Sequence, residues 1–177
     1  MMLEQTDIFQ CDPNHRDAQD LMRRFSAHQQ QFTNGSPLRP LIWNGMCGNA
    51  SLFLMAQSDK GPVACGALMP ITRQTAELRR IYAEPGYGKM MIDALQHVAK
   101  EKSISRLVLT TRKENIRSIQ FYCKNGFVFS DRYWPYQDDE NAVCFEKAIE
   151  LGTNCAPKIV GSNAAKVNGH FDPQLSH

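Results

Sequence analysis

Apolar positions recur at two different periods along this chain, and the switches between them mark out its elements. Residues 6–11 (TDIFQC) form a short β-type run. Asp12, Pro13 and Asn14 then offer helix-start chemistry. Ala18, Leu21, Met22, Phe25 and Phe32 follow at three-to-four-residue spacing, which predicts a helix over 14–32. Gly, Pro and Asn interrupt any period over 33–50, predicting a connecting loop with one helical turn near 41–43. SLFLMAQS (51–58) and PVACGALMPIT (62–72) flank the turn Ser58-Asp59-Lys60-Gly61 and read as an antiparallel hairpin. TAELRRIYA (75–83) alternates as a strand with two mixed faces.

A helix is predicted over 88–101, with Met91, Leu95, Val98 and Ala99 as its stripe and Lys100 and Lys102 favouring its negative end. RLVLTT (106–111) is the next strand. A second helix over 114–125 carries Ile116, Ile119 and Cys123 and closes on Asn125-Gly126, where glycine can take the left-handed helix-ending conformation. FVFS (127–130) and AVCFEKAI (142–149) complete the strands, and residues 151–177 are polar and aperiodic, predicting a loosely ordered tail. This order predicts one α/β (α+β) domain over 6–150, a mixed, mostly antiparallel sheet flanked by helices.

The 177 residues, 42% hydrophobic and 21% charged, match an ordinary globular domain. A net charge of +2 is too balanced to argue for nucleic acid, whose partners usually show a clearly basic face. No apolar run is long enough to span a membrane, and the first residues lack the basic and apolar regions of a secretory signal. The expected location is the cytoplasm. The six cysteines show no C-x-x-C spacing, so free thiols are expected and a metal site is not. Cys65, Cys123 and Cys144, inside apolar segments, are expected to act as small buried hydrophobes. His15, His28 and His97 are read as partly exposed helix residues, and two Asn-x-Ser tripeptides as chance matches.

Two constellations carry chemistry. Strand 76–83 runs through Glu84-Pro85-Gly86-Tyr87-Gly88-Lys89 into a helix. Glycines at a helix start let backbone N–H groups approach phosphate oxygens, and an unliganded tight turn has the same signature. Asn115, Ser118 and Tyr122 then line up along the next helix, where Tyr122 could face either a cleft or the core.

Taken together, ELRRIYAEPGYGKMMIDALQHVAKE, RLVLTTRKENIRSIQFYCKNGFV and AVCFEKAI resemble the GCN5-related N-acetyltransferase (GNAT) family over residues 51–148, and more loosely over 6–50. The resemblance implies an acyl-CoA N-acyltransferase-like sheet splayed between strands 76–83 and 106–111, with acetyl-CoA in the gap. It implies that the main chain of Ile81, Tyr82 and Ala83 holds the pantetheine arm and thioester carbonyl. Gly86, Tyr87, Gly88, Lys89 and Met90 would meet the pyrophosphate, and Asn115 the coenzyme arm. Tyr122 would protonate the departing thiolate, and Glu77 would act as general base toward a primary amine of a small molecule or protein. Glu77 also reads as a solvated carboxylate pairing with Arg79 or Arg73. The acceptor would be set by loop 33–50, by Tyr133-Trp134-Pro135-Tyr136-Gln137 and by Asp138, Asp139 and Glu140. No metal, nucleic acid or membrane partner is implied, and a homodimer is allowed.

The chain departs from the family in a shorter approach to Gly86. Ala83 stands where a cationic or amide residue belongs, Pro85 lacks an N–H, and Glu84 brings negative charge toward a diphosphate. A hydrogen bond to a charged group is worth about 1.5–3 kcal/mol. Losing two would weaken coenzyme binding roughly a hundredfold to ten-thousandfold. Arg80, Lys89 or Arg117 would have to compensate. The alternative expectation is therefore a weak or inactive module that keeps the fold and binds a ligand or partner.

Overall fold

A computed structural model describes residues 5–33 and 51–151. Residues 34–50 of the loop expected over 33–50, and the tail expected after residue 151, lie outside the described residues. Strand β1 (Thr6–Gln10) leads into α1 (Arg16–Gln30). The hairpin is β2 (Leu52–Ser58) and β3 (Gly61–Pro70), followed by β4 (Thr75–Ala83) and α2 (Gly88–Glu101). Then come β5 (Arg106–Arg112), α3 (Ile116–Lys124), β6 (Val128–Phe129) and β7 (Ala142–Ala148). They form a seven-stranded sheet in the order β1-β2-β3-β4-β5-β7-β6. Among the described residues only the β4–β5 pairing is parallel.

The periods explain most of this. β2 and β3 are buried on both faces (Leu52–Ala56, Val63–Met69) because helices cover the sheet on either side. Ala18 and Leu21 of α1 pack on Phe53, Met55, Cys65 and Ala67. On the opposite face Met91, Ile92, Leu95, Val98 and Ala99 of α2 join Leu54, Leu68, Leu107, Leu109 and Phe145. α1 starts at His15, whose imidazole nitrogen accepts from the Asp17 N–H at 3.3 Å. The Asp12 carboxylate instead turns the chain just ahead, accepting from the Asn14 N–H at 2.8 Å.

Two expectations need correction. The stripe assigned to α3 is rotated: Ile116 and Cys123 are exposed, while Tyr122 is buried and Ile119 and Phe121 pack beside it. The helix turns its 119/122 side down because Tyr122 meets Phe127 and Phe145 there, both ring centroids 5.8 Å away. Cys123 is thus a surface thiol, whereas Cys65 and Cys144 are buried.

Strand β4 is also irregular. Ala67 faces Arg79 and Cys65 faces Tyr82, so Gly66 alone stands opposite Arg80 and Ile81. Two residues against one make a β-bulge, which bends a strand and increases its twist. Arg80 takes φ +54° there, a left-handed conformation that costs a side-chain-bearing residue about 1–2 kcal/mol.

Candidate active site

Strands β4 and β5 pair over only three positions, Thr75–Arg106, Ala76–Leu107 and Glu77–Val108. Beyond Glu77, β4 stays with β3 as far as Ala83, while β5 stays with β7 as far as Arg112. The bulge at Arg80 falls just past the point of divergence. The wedge that opens is a cleft of about 690 Å³, walled by Glu77–Gly86 and Gly88 on one side and by Thr110, Thr111, Arg112 and Tyr122 on the other.

Glu77 and Tyr122 both reach this cleft. Glu77 is buried; its Oε1 accepts from the hydroxyls of Tyr133 and Tyr136, each at 3.1 Å, and its Oε2 lies 3.9 Å from Arg79 Nε. Tyr122 has its ring in the core and borders the cleft, and among the described residues its hydroxyl has no hydrogen-bond partner. Burial pushes the phenol well above its usual range, so it stays protonated at neutral pH and can donate.

The N-terminus of α2 is bare. Tyr87 in the cap position makes no side-chain cap bond, and no acidic residue occupies the first turn. The Tyr87 and Met91 amides are bonded, to the carbonyls of Glu84 and Tyr87. Those of Gly86, Gly88, Lys89 and Met90 have no acceptor among the described residues. Unsatisfied amides at the positive end of a helix dipole make an anion site. A Cβ at Gly88 would crowd the Phe121 ring at 3.0 Å; Gly86 turns the chain at φ +96°.

Of the residues expected to hold coenzyme, Ile81, Tyr82, Ala83, Gly86 and Gly88 line the cleft. Tyr87 and Met90 pack against the core instead, and the Lys89 ammonium pairs with Asp93 at 2.5 Å. Asn115 is fully buried and not on the cleft wall: its Oδ1 caps α3 by accepting from the Ser118 N–H at 3.1 Å. Its Nδ2 has no partner among the described residues. Arg117 does border the cleft and has no ion-pair partner among the described residues. The Glu84 carboxylate is held by Arg24 Nη1 at 3.1 Å and by the Tyr82 hydroxyl at 3.0 Å. Of the three acids expected near the acceptor, Asp138 and Glu140 are exposed and off the cleft wall, while Asp139 lines it and is paired with Arg112. Among the described residues no three His, Cys, Asp or Glu side chains gather as metal ligands, and no helix is long and apolar enough to cross a membrane.

A mixed sheet prised open between its two parallel strands, with a bulge and a helix N-terminus at the opening, is the fold of acyl-CoA N-acyltransferases. The chain belongs to the GNAT acetyltransferase family, whose model matches residues 10–127. The search among curated proteins gives no match. Among solved structures, a Klebsiella pneumoniae protein assigned as an acyl-CoA N-acyltransferase is 24% identical, with TM-score 0.67 over 82% of this chain and 98% of its own. A Streptococcus agalactiae acetyltransferase is 20% identical, with TM-score 0.64 over 81% and 98%. An Elizabethkingia anophelis GNAT acetyltransferase, solved with acetyl-CoA bound, is 16% identical with TM-score 0.58 over 81% and 97%. At these identities the likeness is one of fold.

Proposed function

We propose that this chain transfers an acetyl group from acetyl-CoA to a primary amine of a small molecule or protein. The observation that carries the reading is the divergence of β4 from β5 beyond Glu77, with a buried carboxylate and an unbonded phenol on the same cleft. Acetyl-CoA suits the residues present. The free amides of Gly86, Gly88, Lys89 and Met90 are donors for a diphosphate, with Arg117 on the opposite wall. The fold neighbour that holds acetyl-CoA supports the same ligand here. When bound, acetyl-CoA supplies an acyl thioester open to attack by an amine.

The chain's own residues do the rest. Ile81, Tyr82 and Ala83 offer main-chain groups along the arm of the coenzyme. An alkyl ammonium has a pKa of about 10.4, so a base must take its proton at pH 7. Glu77 is the buried carboxylate that accepts it, directly or through water. Tyr122 holds its proton and donates toward the sulfur. Its raised pKa favours a hydrogen bond over full release. The four described cysteines are free, in keeping with work in the cytoplasm, where thiols stay reduced.

A second reading, a module that binds without turnover, draws on Pro85, which has no N–H to offer, and on the short approach to Gly86. Thiol release from acetyl-CoA with a panel of amines (polyamine, free amino acids, aminoglycoside, peptides), beside a calorimetric titration with acetyl-CoA, separates the two. Micromolar binding with turnover is expected, whereas silence at millimolar coenzyme would leave the module. Tyr122→Phe should lower kcat by about 10²-fold with coenzyme affinity nearly unchanged. An equal rate would remove Tyr122 from the mechanism.

A further inference from the structure

Between β6 and β7 the chain swings back over the cleft and is fastened to β5. Arg112 Nη1 donates to both oxygens of Asp139, at 3.0 and 2.8 Å, and the Lys113 N–H donates to the Asn141 carbonyl at 3.0 Å. This connection delivers Tyr133 and Tyr136, their rings edge to face with centroids 5.4 Å apart. Both hydroxyls end on one atom, Glu77 Oε1. A phenol has a single proton to donate. The Tyr133 hydroxyl also receives a hydrogen bond from Thr110 Oγ1 of β5 at 2.9 Å, which sets a direction: Thr110 to Tyr133 to Glu77.

Two arginines of β4, Arg79 and Arg80, line the cleft beside the carboxylate. Arg79, on β4 itself, stands off Oε2 at 3.9 Å. Arg112 is taken by Asp139, and Cys144 of β7 lies behind Tyr133, 3.4 Å from Thr110 Oγ1. Oε1 therefore takes two hydroxyl donors, whereas Oε2 is met by the longer ion pair with Arg79.

We propose that Tyr133 and Tyr136 are positioning residues for acetyl transfer: they occupy Oε1 and so present Oε2 of Glu77 to the acceptor amine. This rests on the reading of Glu77 as the base. It also gives the β6–β7 connection a task besides shaping the acceptor site, since a displaced connection would release the carboxylate.

The test is a pair of double-mutant cycles, Tyr133→Phe and Tyr136→Phe, each in the parent and in Glu77→Gln, assayed with the fastest amine of the panel. Each Phe variant should lower kcat about ten- to a hundredfold, the worth of one hydrogen bond to a charged group. KM for acetyl-CoA should not move, and in Glu77→Gln neither substitution should have further effect. Equal losses in both backgrounds would make the tyrosines merely structural and overturn the proposal. Parental rates in the Phe variants, with Glu77→Gln impaired, would overturn it alone. Full activity in Glu77→Gln, or no turnover with any amine, would remove the base assignment and this inference together. Thermal melts check the fold. If Tyr133→Phe unfolds, Thr110→Val tests the same arm by releasing the Tyr133 hydroxyl, and if Tyr136→Phe unfolds the Tyr133 cycle decides alone: a fall in kcat confined to the Glu77 background supports the clamp, and none overturns it.

Discussion

Glu84 lies just ahead of α2 in sequence, where a carboxylate would repel a diphosphate arriving at the helix N-terminus. Its Oε1 accepts from Arg24 of α1 and from the Tyr82 hydroxyl of β4. Removing the first of these bonds by Arg24→Ala should weaken acetyl-CoA binding by about two- to fivefold, in line with a half-exposed ion pair. Adding Glu84→Gln to that variant should restore it. Calorimetry on the two variants decides, and an unchanged Kd for Arg24→Ala would show that the carboxylate does not matter. At the residue scale, the sequence pointed to two side chains that border one cleft, Glu77 and Tyr122. The bonds from Tyr133 and Tyr136 to Glu77 were not legible there, because they join positions 56 and 59 residues apart and no local spacing announces them. The burial of Asn115 was equally hidden, since a cap and a ligand-facing amide look the same in sequence.

At the scale of elements, apolar period and turn chemistry located every strand and helix among the described residues, because all but the two-residue β6 have a face committed to the core. α3 escaped in part. It is a nine-residue helix, and so short a stripe can be drawn on either of two neighbouring faces. The bulge in β4 left no trace either, since the left-handed residue is an arginine and not a glycine. Its visible counterpart is Gly66 on the facing strand. A Cβ at that position would stand 2.7 Å from Leu95 Cδ1, a side chain with no exposure. Gly66→Ala should therefore cost about 1–3 kcal/mol through overpacking, measured by urea unfolding. A neutral result would mean that the helix–sheet spacing yields more easily than a packed core does.

Over the whole molecule, buried protonated groups tie stability to alkalinity. Burial pushes the Cys65 thiol from 9.0 up to about 12, and the Cys11 thiol to about 11. The folded chain keeps these protons where the unfolded chain has lost them. Stability is therefore intact below about pH 9 and falls as pH rises toward 12, by up to about 1.4 kcal/mol per pH unit for Cys65. Tyr122, shifted the same way, adds to the loss. Melting curves in reducing buffer from pH 7.5 to 10.5 should show the decline, and Cys65→Ala should flatten it. A parallel decline in that variant would assign the effect elsewhere.

The seam between β4 and β5 has one further consequence. With three paired positions joining them, the two wings of the sheet keep their angle through the side chains beneath α2 more than through the hydrogen-bond ladder. Anything lodged between the wings would serve as a keystone. Its arrival would brace the whole arch, so that resistance to heat would report occupancy even before any product is formed.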